Sequence, residues 1–228
     1  MPRPGAVTAA IVLLALGSGA ADAFSFVALG AVFTSVMTGN LVLFGVAVVH
    51  TDPGAAVRAA VSIAAYAVGV LGAASWLRGT GPADSGPWPG RVIGALSVVP
   101  AAQAAVLTAW LAAAARPATA LQITLIAVSA AAMGVQSTAV NTLAVSGAAT
   151  TYLTGTLTAL MTELATTGSP HTMRRRLAVL AAALAGAALE AILLTWARPT
   201  APALPLAAAL IVVTTVVLRP TAPSHRRS

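Results

Sequence analysis

The chain has 228 residues, of which 58% are hydrophobic and only 7% are charged. A soluble domain commonly carries about 25% charged residues, so this composition excludes a soluble enzyme, a nucleic-acid-binding domain and a disordered regulator. The formal net charge is +7, and all twelve basic residues are arginines that separate apolar stretches, a distribution that marks membrane topology. There is no cysteine, and the three histidines lack the spacing of metal ligands, so the sequence predicts no metal site.

Eight apolar stretches follow one another between clusters of glycine, proline and charge. A helix needs about 20 apolar residues to span the hydrocarbon core, and the first, third, fourth, fifth and seventh stretches meet that length. The eighth is short but uninterrupted, whereas the second and sixth are shorter and contain polar residues. The sequence therefore predicts an all-α polytopic transmembrane helix bundle in a single membrane domain, residues 1–228, with a Gly- and Pro-rich loop at 79–90. In chain order the stretches cover residues 6–29, 34–49, 56–77, 91–114, 118–140, 150–165, 177–196 and 204–218.

The second half of the chain resembles the first. The octapeptide TSVMTGNL aligns with TTYLTGTL at four identical positions of eight, and a glycine and a polar residue precede each copy at distances that differ by one residue. We therefore predict an internal repeat that relates residues 1–114 to residues 118–228. The aligned positions are 34–41 with 150–157, Gly19 with Gly134, and Asp22 with Ser137.

The repeat allows two topologies. Eight spans would give two parallel halves of four segments each, whereas re-entrant Thr-Gly segments would leave two inverted halves of three spans each, as in many transporters. In both cases nine of the twelve arginines lie on the side of the two termini. The positive-inside rule then predicts a plasma (inner) membrane protein with both termini in the cytoplasm, and leaves the number of spans open.

Two motifs resemble those of a known family. The residues from Gly19 to Asn40, which include GAADAFSF and MTGN, resemble the first signature of the YoaK-like bacterial membrane proteins, a domain-of-unknown-function family. The segments MGVQ and TTYLTGTL resemble its second signature, although Ser137 stands where the family pattern usually has asparagine after the glutamine. The resemblance covers nearly the whole chain, and it implies a multi-pass membrane protein without an established substrate or catalytic chemistry.

The Thr-Gly motifs are the first candidates for a binding site. Glycine next to threonine and asparagine suits a broken helix, whose freed backbone groups must line a cavity or find partners inside a membrane. The hydroxyl residues can cap the resumed helix, and the repeat would place two helix ends near each other, as in a transporter site. The alternative interpretation is that these small and hydroxyl residues only allow helices to pack closely. The candidates are Thr38, Gly39, Asn40, Thr154, Gly155 and Thr156.

Acidic and amide residues inside the apolar stretches are the second group of candidates. A charge at the bilayer centre costs at least about 2.5–3.5 kcal/mol, so it usually faces a pathway or a partner. Asp22 lies well inside the first stretch and is interpreted as a cation or proton site or as the anchor of its motif; Glu190 lies inside the seventh. Glu163 is expected to form an ion pair with the arginines that follow it, and Gln136 either joins a polar lining or bonds between helices.

These features predict a small secondary transporter or permease whose site lies between the two Thr-Gly motifs. The alternative is a non-transporting membrane scaffold or partner-binding protein. No enzyme signature is present, so no catalytic residue and no cofactor are expected. The predicted partners are the lipid bilayer and a small solute or ion, without nucleic acid, and the sequence leaves a homo-oligomer open.

Overall fold

The computed structural model describes residues 4–80, 88–143, 153–166 and 169–217. Within these ranges the chain forms eight α-helices and one 3-10 turn, which confirms the all-α polytopic bundle. Part of the predicted loop 79–90 and residues 150–152 of the second motif lie outside the described residues. The helices are α1 (Pro4–Ala28), α2 (Met37–Val49), α3 (Pro53–Trp76), α4 (Gly90–Ala112), α5 (Thr119–Thr142), α6 (Leu153–Ala165), α7 (Pro170–Trp196) and α8 (Ala203–Val217), with the 3-10 turn Arg198–Thr200 before α8.

Six of the described helices are long and apolar enough to cross a membrane. They are α1, α3, α4, α5, α7 and α8, the last of which is counted together with the 3-10 turn before it. The other two, α2 and α6, have 13 residues each. At about 1.5 Å per residue such a helix is roughly 20 Å long, short of the hydrocarbon thickness of about 30 Å. The described part of the chain therefore contains six helices that are long enough to span the membrane and two that are too short, as the six-span alternative expects.

Two apolar clusters show how the long helices alternate in direction. One cluster joins the C-terminal parts of α1, α4 and α7 to the N-terminal parts of α3 and α5 and to Ala201, two residues before α8. In this cluster Phe24 meets Trp110 edge to face with ring centroids 5.0 Å apart. The other cluster joins the opposite ends of the same helices around Ile11. We call these two ends of the bundle the Trp110 end and the Ile11 end. Each long helix runs from one end to the other.

Helices α1 and α7 cross at unusually close range. A Cβ atom added at Gly19 would collide with the backbone carbonyl of Ala183, and one added at Gly186 would collide with the carbonyl of Leu16. Glycine thus allows backbone-to-backbone contact, the means by which membrane helices associate without a hydrophobic driving force.

We expect Gly186→Leu to destabilise the protein by more than the roughly 1–3 kcal/mol typical of an overpacked core, because the atom in its way is backbone. The matched control is Gly45→Leu in α2, where no atom lies within 4 Å of the new Cβ. Thermal unfolding in detergent compares the two variants. Equal melting temperatures would contradict the close crossing.

Candidate functional site

The segment between α1 and α2 folds back into the bundle. It turns at Gly30, whose φ is +117°, and then runs along α3 from the Trp110 end towards the middle of that helix. Arg58 Nε donates to the Gly30 carbonyl at 3.0 Å, and one turn further down α3 Ser62 Oγ donates to the Phe33 carbonyl at 2.6 Å. Tyr66, a further turn down, lines the same cavity as the start of α2. Helix α2 therefore begins near the middle of α3 and returns to the Trp110 end, where α3 begins.

Asp22 holds this re-entrant segment in place. Its Oδ1 accepts hydrogen bonds from the Thr34 N–H at 2.7 Å, the Thr34 hydroxyl at 3.1 Å and the Ser35 N–H at 2.8 Å, and its Oδ2 accepts from the Ser35 hydroxyl at 2.5 Å. The residue is only 8% exposed. The buried carboxylate thus accepts from two hydroxyl groups and from two backbone N–H groups that no helix satisfies, as the membrane interior demands.

Asn40 and Gly39 secure the same segment from α2. The Asn40 side chain is fully buried; its Oδ1 accepts from the Phe33 N–H at 2.9 Å, and its Nδ2 donates to the Phe33 carbonyl at 2.7 Å and to Ser62 Oγ at 3.0 Å. A Cβ at Gly39 would lie 3.0 Å from the Phe33 ring, so only glycine fits easily there. Gly39 and Asn40, both predicted site residues, thus support the re-entrant segment. Neither lines the cavity at the starts of α2 and α6.

The starts of the two short helices line one cavity. Its volume is about 510 Å³, and Thr38 of α2 and Thr154 of α6 both contribute to it. The structure therefore brings together residues of both Thr-Gly motifs, with one predicted site residue from each, Thr38 and Thr154. The remaining wall comes from the re-entrant segment, α3 and α5, and none of the described lining residues is charged. The full lining is Ser35, Val36, Met37, Thr38, Tyr66, Ser137, Asn141, Leu153 and Thr154.

A second, more open groove of about 480 Å³ runs along α6 from the cavity towards the Ile11 end. Thr154 belongs to both spaces, and Gly155, Thr158 and Thr162 continue along the groove. It ends at Glu163, whose Oε2 pairs with Arg176 Nε at 3.2 Å as expected from the sequence. Thr156 points away from this face and is buried.

The two remaining candidates lie outside both spaces. Gln136 Nε2 donates to Ser18 Oγ at 2.8 Å and reaches the Leu14 carbonyl at 3.4 Å, so it joins α5 to α1. Glu190 is completely buried in α7, and neither of its carboxyl oxygens has a hydrogen-bond partner among the described residues. No group of three potential metal-ligating side chains occurs in the described part of the chain.

Sequence reasoning missed the three polar residues of α3 that receive the re-entrant segment. Arg58, Ser62 and Tyr66 recur at intervals of four residues in an otherwise apolar span, which places them on one face of a helix. That spacing was the available signal, because a polar stripe in a membrane span needs partners.

Comparison with known proteins identifies the family of this chain. The family described as "Protein of unknown function (DUF1275)" matches residues 10–217. UPF0700 transmembrane protein YoaK of Bacillus subtilis (strain 168) is 31% identical over 152 residues, which is 67% of this chain. The match spans 64% of that relative, less than two thirds of its length. No solved structure matches the chain.

Proposed function

Because this chain belongs to the DUF1275 family, whose description is a protein of unknown function, we propose its function from its cavity: it is a small secondary transporter or permease. The observation that carries the proposal is that Thr38 and Thr154 line one cavity at the starts of two short helices. Helix α2 leads from that cavity to the Trp110 end, and α6 leads to the Ile11 end, where it pairs with the start of α7. Broken segments that meet at mid-depth are the usual architecture of a transporter site.

The packing of the helices supports an inverted repeat. Helix α1 packs on α7 as its counterpart α5 packs on α3, and α2 packs on α3 as α6 packs on α7. Helix α8 likewise packs on α1 as α4 packs on α5. The counterparts run in opposite directions, since α1 ends at the Trp110 end and α5 begins there. Residues 1–114 and 118–228 are therefore assigned as two inverted halves around the cavity.

Each short helix leads from the cavity towards one end of the bundle. On the α2 side the re-entrant segment is held by the hydrogen bonds of Asp22, Asn40 and Arg58. On the α6 side the described residues line a groove that adjoins the cavity through Thr154. The α6 side is that of the Ile11 end, which the arginine distribution assigns to the cytoplasm.

The lining indicates the class of solute. The described lining residues offer hydroxyl groups, one amide and apolar surface, with no charged side chain. Such a surface exchanges hydrogen bonds with a small polar solute and provides no full charge to balance an ion. A small polar molecule is therefore the proposed cargo.

Glu190 is the proposed coupling group. A buried carboxyl without hydrogen-bond partners is expensive in a membrane and usually marks an ion or proton pathway. Asp22, by contrast, already has four donors, which favours its role as the anchor of the first motif.

The orientation of the chain in the membrane can be tested by introducing single cysteines, because the natural sequence contains none. Thr51 lies exposed at the turn between α2 and α3 at the Trp110 end, and His171 lies exposed at the start of α7 at the Ile11 end. We expect an impermeant thiol reagent to label Thr51→Cys in intact cells and His171→Cys only after the membrane is opened. The reverse pattern would overturn the assigned orientation, and labelling of both only in opened cells would contradict six spans.

A non-transporting scaffold is the second candidate, favoured by the way polar side chains such as Gln136 are used in bonds between helices. The two functions differ in net flux. Liposomes that contain the purified chain should take up labelled small polar solutes faster than protein-free liposomes if it transports. A scaffold gives equal rates for every solute, and that result would overturn the transporter proposal.

A further inference from the structure

A second feature of the surface is an apolar groove between α3 and α4, which shares no lining residue with the cavity. Its volume is about 390 Å³, and Val135 of α5 forms part of its floor. Three glycines contribute no side chain to it, and at Gly72 no atom lies within 4 Å of where a Cβ would stand. The groove opens to the outside of the bundle, where Val68 is 66% and Trp76 is 60% exposed. Its lining is Val68, Gly69, Gly72, Ala73, Trp76, Gly94, Ala95, Val98 and Val135.

Two arginines lie at the Ile11 end of this groove. The Trp76 indole N–H donates to the Arg91 carbonyl at 3.2 Å, so the groove leads directly to the start of α4. Arg91 Nη1 in turn donates to the Arg78 carbonyl at 2.9 Å, which keeps the two residues side by side. Both arginine residues are exposed. A tryptophan at this position is typical of the level of the lipid headgroups.

We propose that the groove binds an anionic phospholipid, with one acyl chain along the glycine-lined floor and the phosphate group at Arg78 and Arg91. The apolar channel and the adjoining positive charges match the two parts of such a lipid. Basic pockets between membrane helices on the cytoplasmic side recognise anionic headgroups in this way. The site is independent of the proposed transport.

The arginines favour a lipid over a second copy of the chain. Two copies inserted in the same orientation would pair through equivalent surfaces. A dimer formed through this groove would therefore bring four arginines of the same end together, and like charges at short range repel. A phosphate group instead complements the pair.

Native mass spectrometry of the full chain, purified in detergent and supplied with phosphatidylglycerol or phosphatidylcholine, tests the site. We expect roughly thirtyfold tighter retention of phosphatidylglycerol, lost in the double variant Arg78→Ala, Arg91→Ala, since each of the two arginines contributes about a fivefold attraction to an anionic lipid. The control Arg174→Ala removes an exposed arginine of the same end of the bundle and should retain the lipid.

Filling the groove gives an independent test of the acyl-chain part. Gly72→Leu occupies open space and should fold normally but bind the lipid about tenfold more weakly, since roughly two displaced CH₂ groups of the acyl chain correspond to that factor, whereas Gly45→Leu, equally unobstructed, should bind it unchanged. Equal retention of the two lipids, or undiminished binding by Gly72→Leu, would overturn the proposal. Glycerol phosphate that competes as strongly as the whole lipid, or a dimer that Gly72→Leu dissociates, would also overturn it.

Discussion

Asp22→Ala is expected to unfold the re-entrant segment and to abolish transport. The change leaves the buried N–H groups of Thr34 and Ser35 without their acceptor. Each unsatisfied buried donor costs about 1–3 kcal/mol, so the loss of both should lower the free energy of unfolding by about 2–6 kcal/mol. Chemical denaturation of the purified protein measures this loss.

The variant Asp22→Asn distinguishes between the two interpretations of Asp22, as the anchor of the re-entrant segment and as an ion site. Asparagine keeps the Oδ1 acceptor that receives three of the four hydrogen bonds, so an anchor predicts a mild loss of stability and substantial uptake. A cation or proton site predicts instead that Asn is as damaging to gradient-driven uptake as Ala. The control Asp52→Ala removes only the exposed N-cap of α3, which costs about 1 kcal/mol.

Glu190→Gln is expected to abolish gradient-driven uptake while the protein remains folded. The carboxyl of Glu190 makes no hydrogen bond among the described residues, so glutamine removes the ionisable group without breaking a described contact. Uptake into liposomes with and without an imposed proton or cation gradient measures the effect, together with the melting temperature.

The matched control is Asp52→Asn, which removes an exposed carboxyl that lines neither space and keeps an acceptor for the N-cap hydrogen bond from the Ala55 N–H. Gradient-driven uptake that survives in Glu190→Gln would remove Glu190 from the coupling role. A large fall in melting temperature would assign it a structural role instead.

The helices themselves could be predicted from hydropathy because each long apolar stretch must form a helix in a membrane. The start of α7 differs from the prediction: the seventh stretch was expected from residue 177, but the helix begins at Pro170 and continues through the three arginines. Arginine is a good helix former and proline suits the first turn, so hydropathy misplaces this boundary.

The path of the re-entrant segment could not be predicted, because it depends on partners distant in sequence. The carbonyl of Phe33 is satisfied by Ser62 and Asn40, and Asp22 reaches Thr34 across the turn. The sequence singled out Asp22 and Asn40 as important polar residues. Whether they would line the cavity or hold its wall depended on these tertiary contacts, and the structure places both in the wall.

Filling the cavity between α2 and α6 is the most direct test of the proposed transport. Thr154 is exposed and lines both the cavity and the adjoining groove. Thr154→Trp should therefore block the path without disturbing the buried core. Cells that express the wild-type chain, Thr154→Trp or neither are given the same mixture of small polar metabolites, and uptake is compared by mass spectrometry. If the chain transports solutes through this cavity, a small set of them enters only the wild-type cells; identical profiles in wild-type and Thr154→Trp cells would contradict transport by this path.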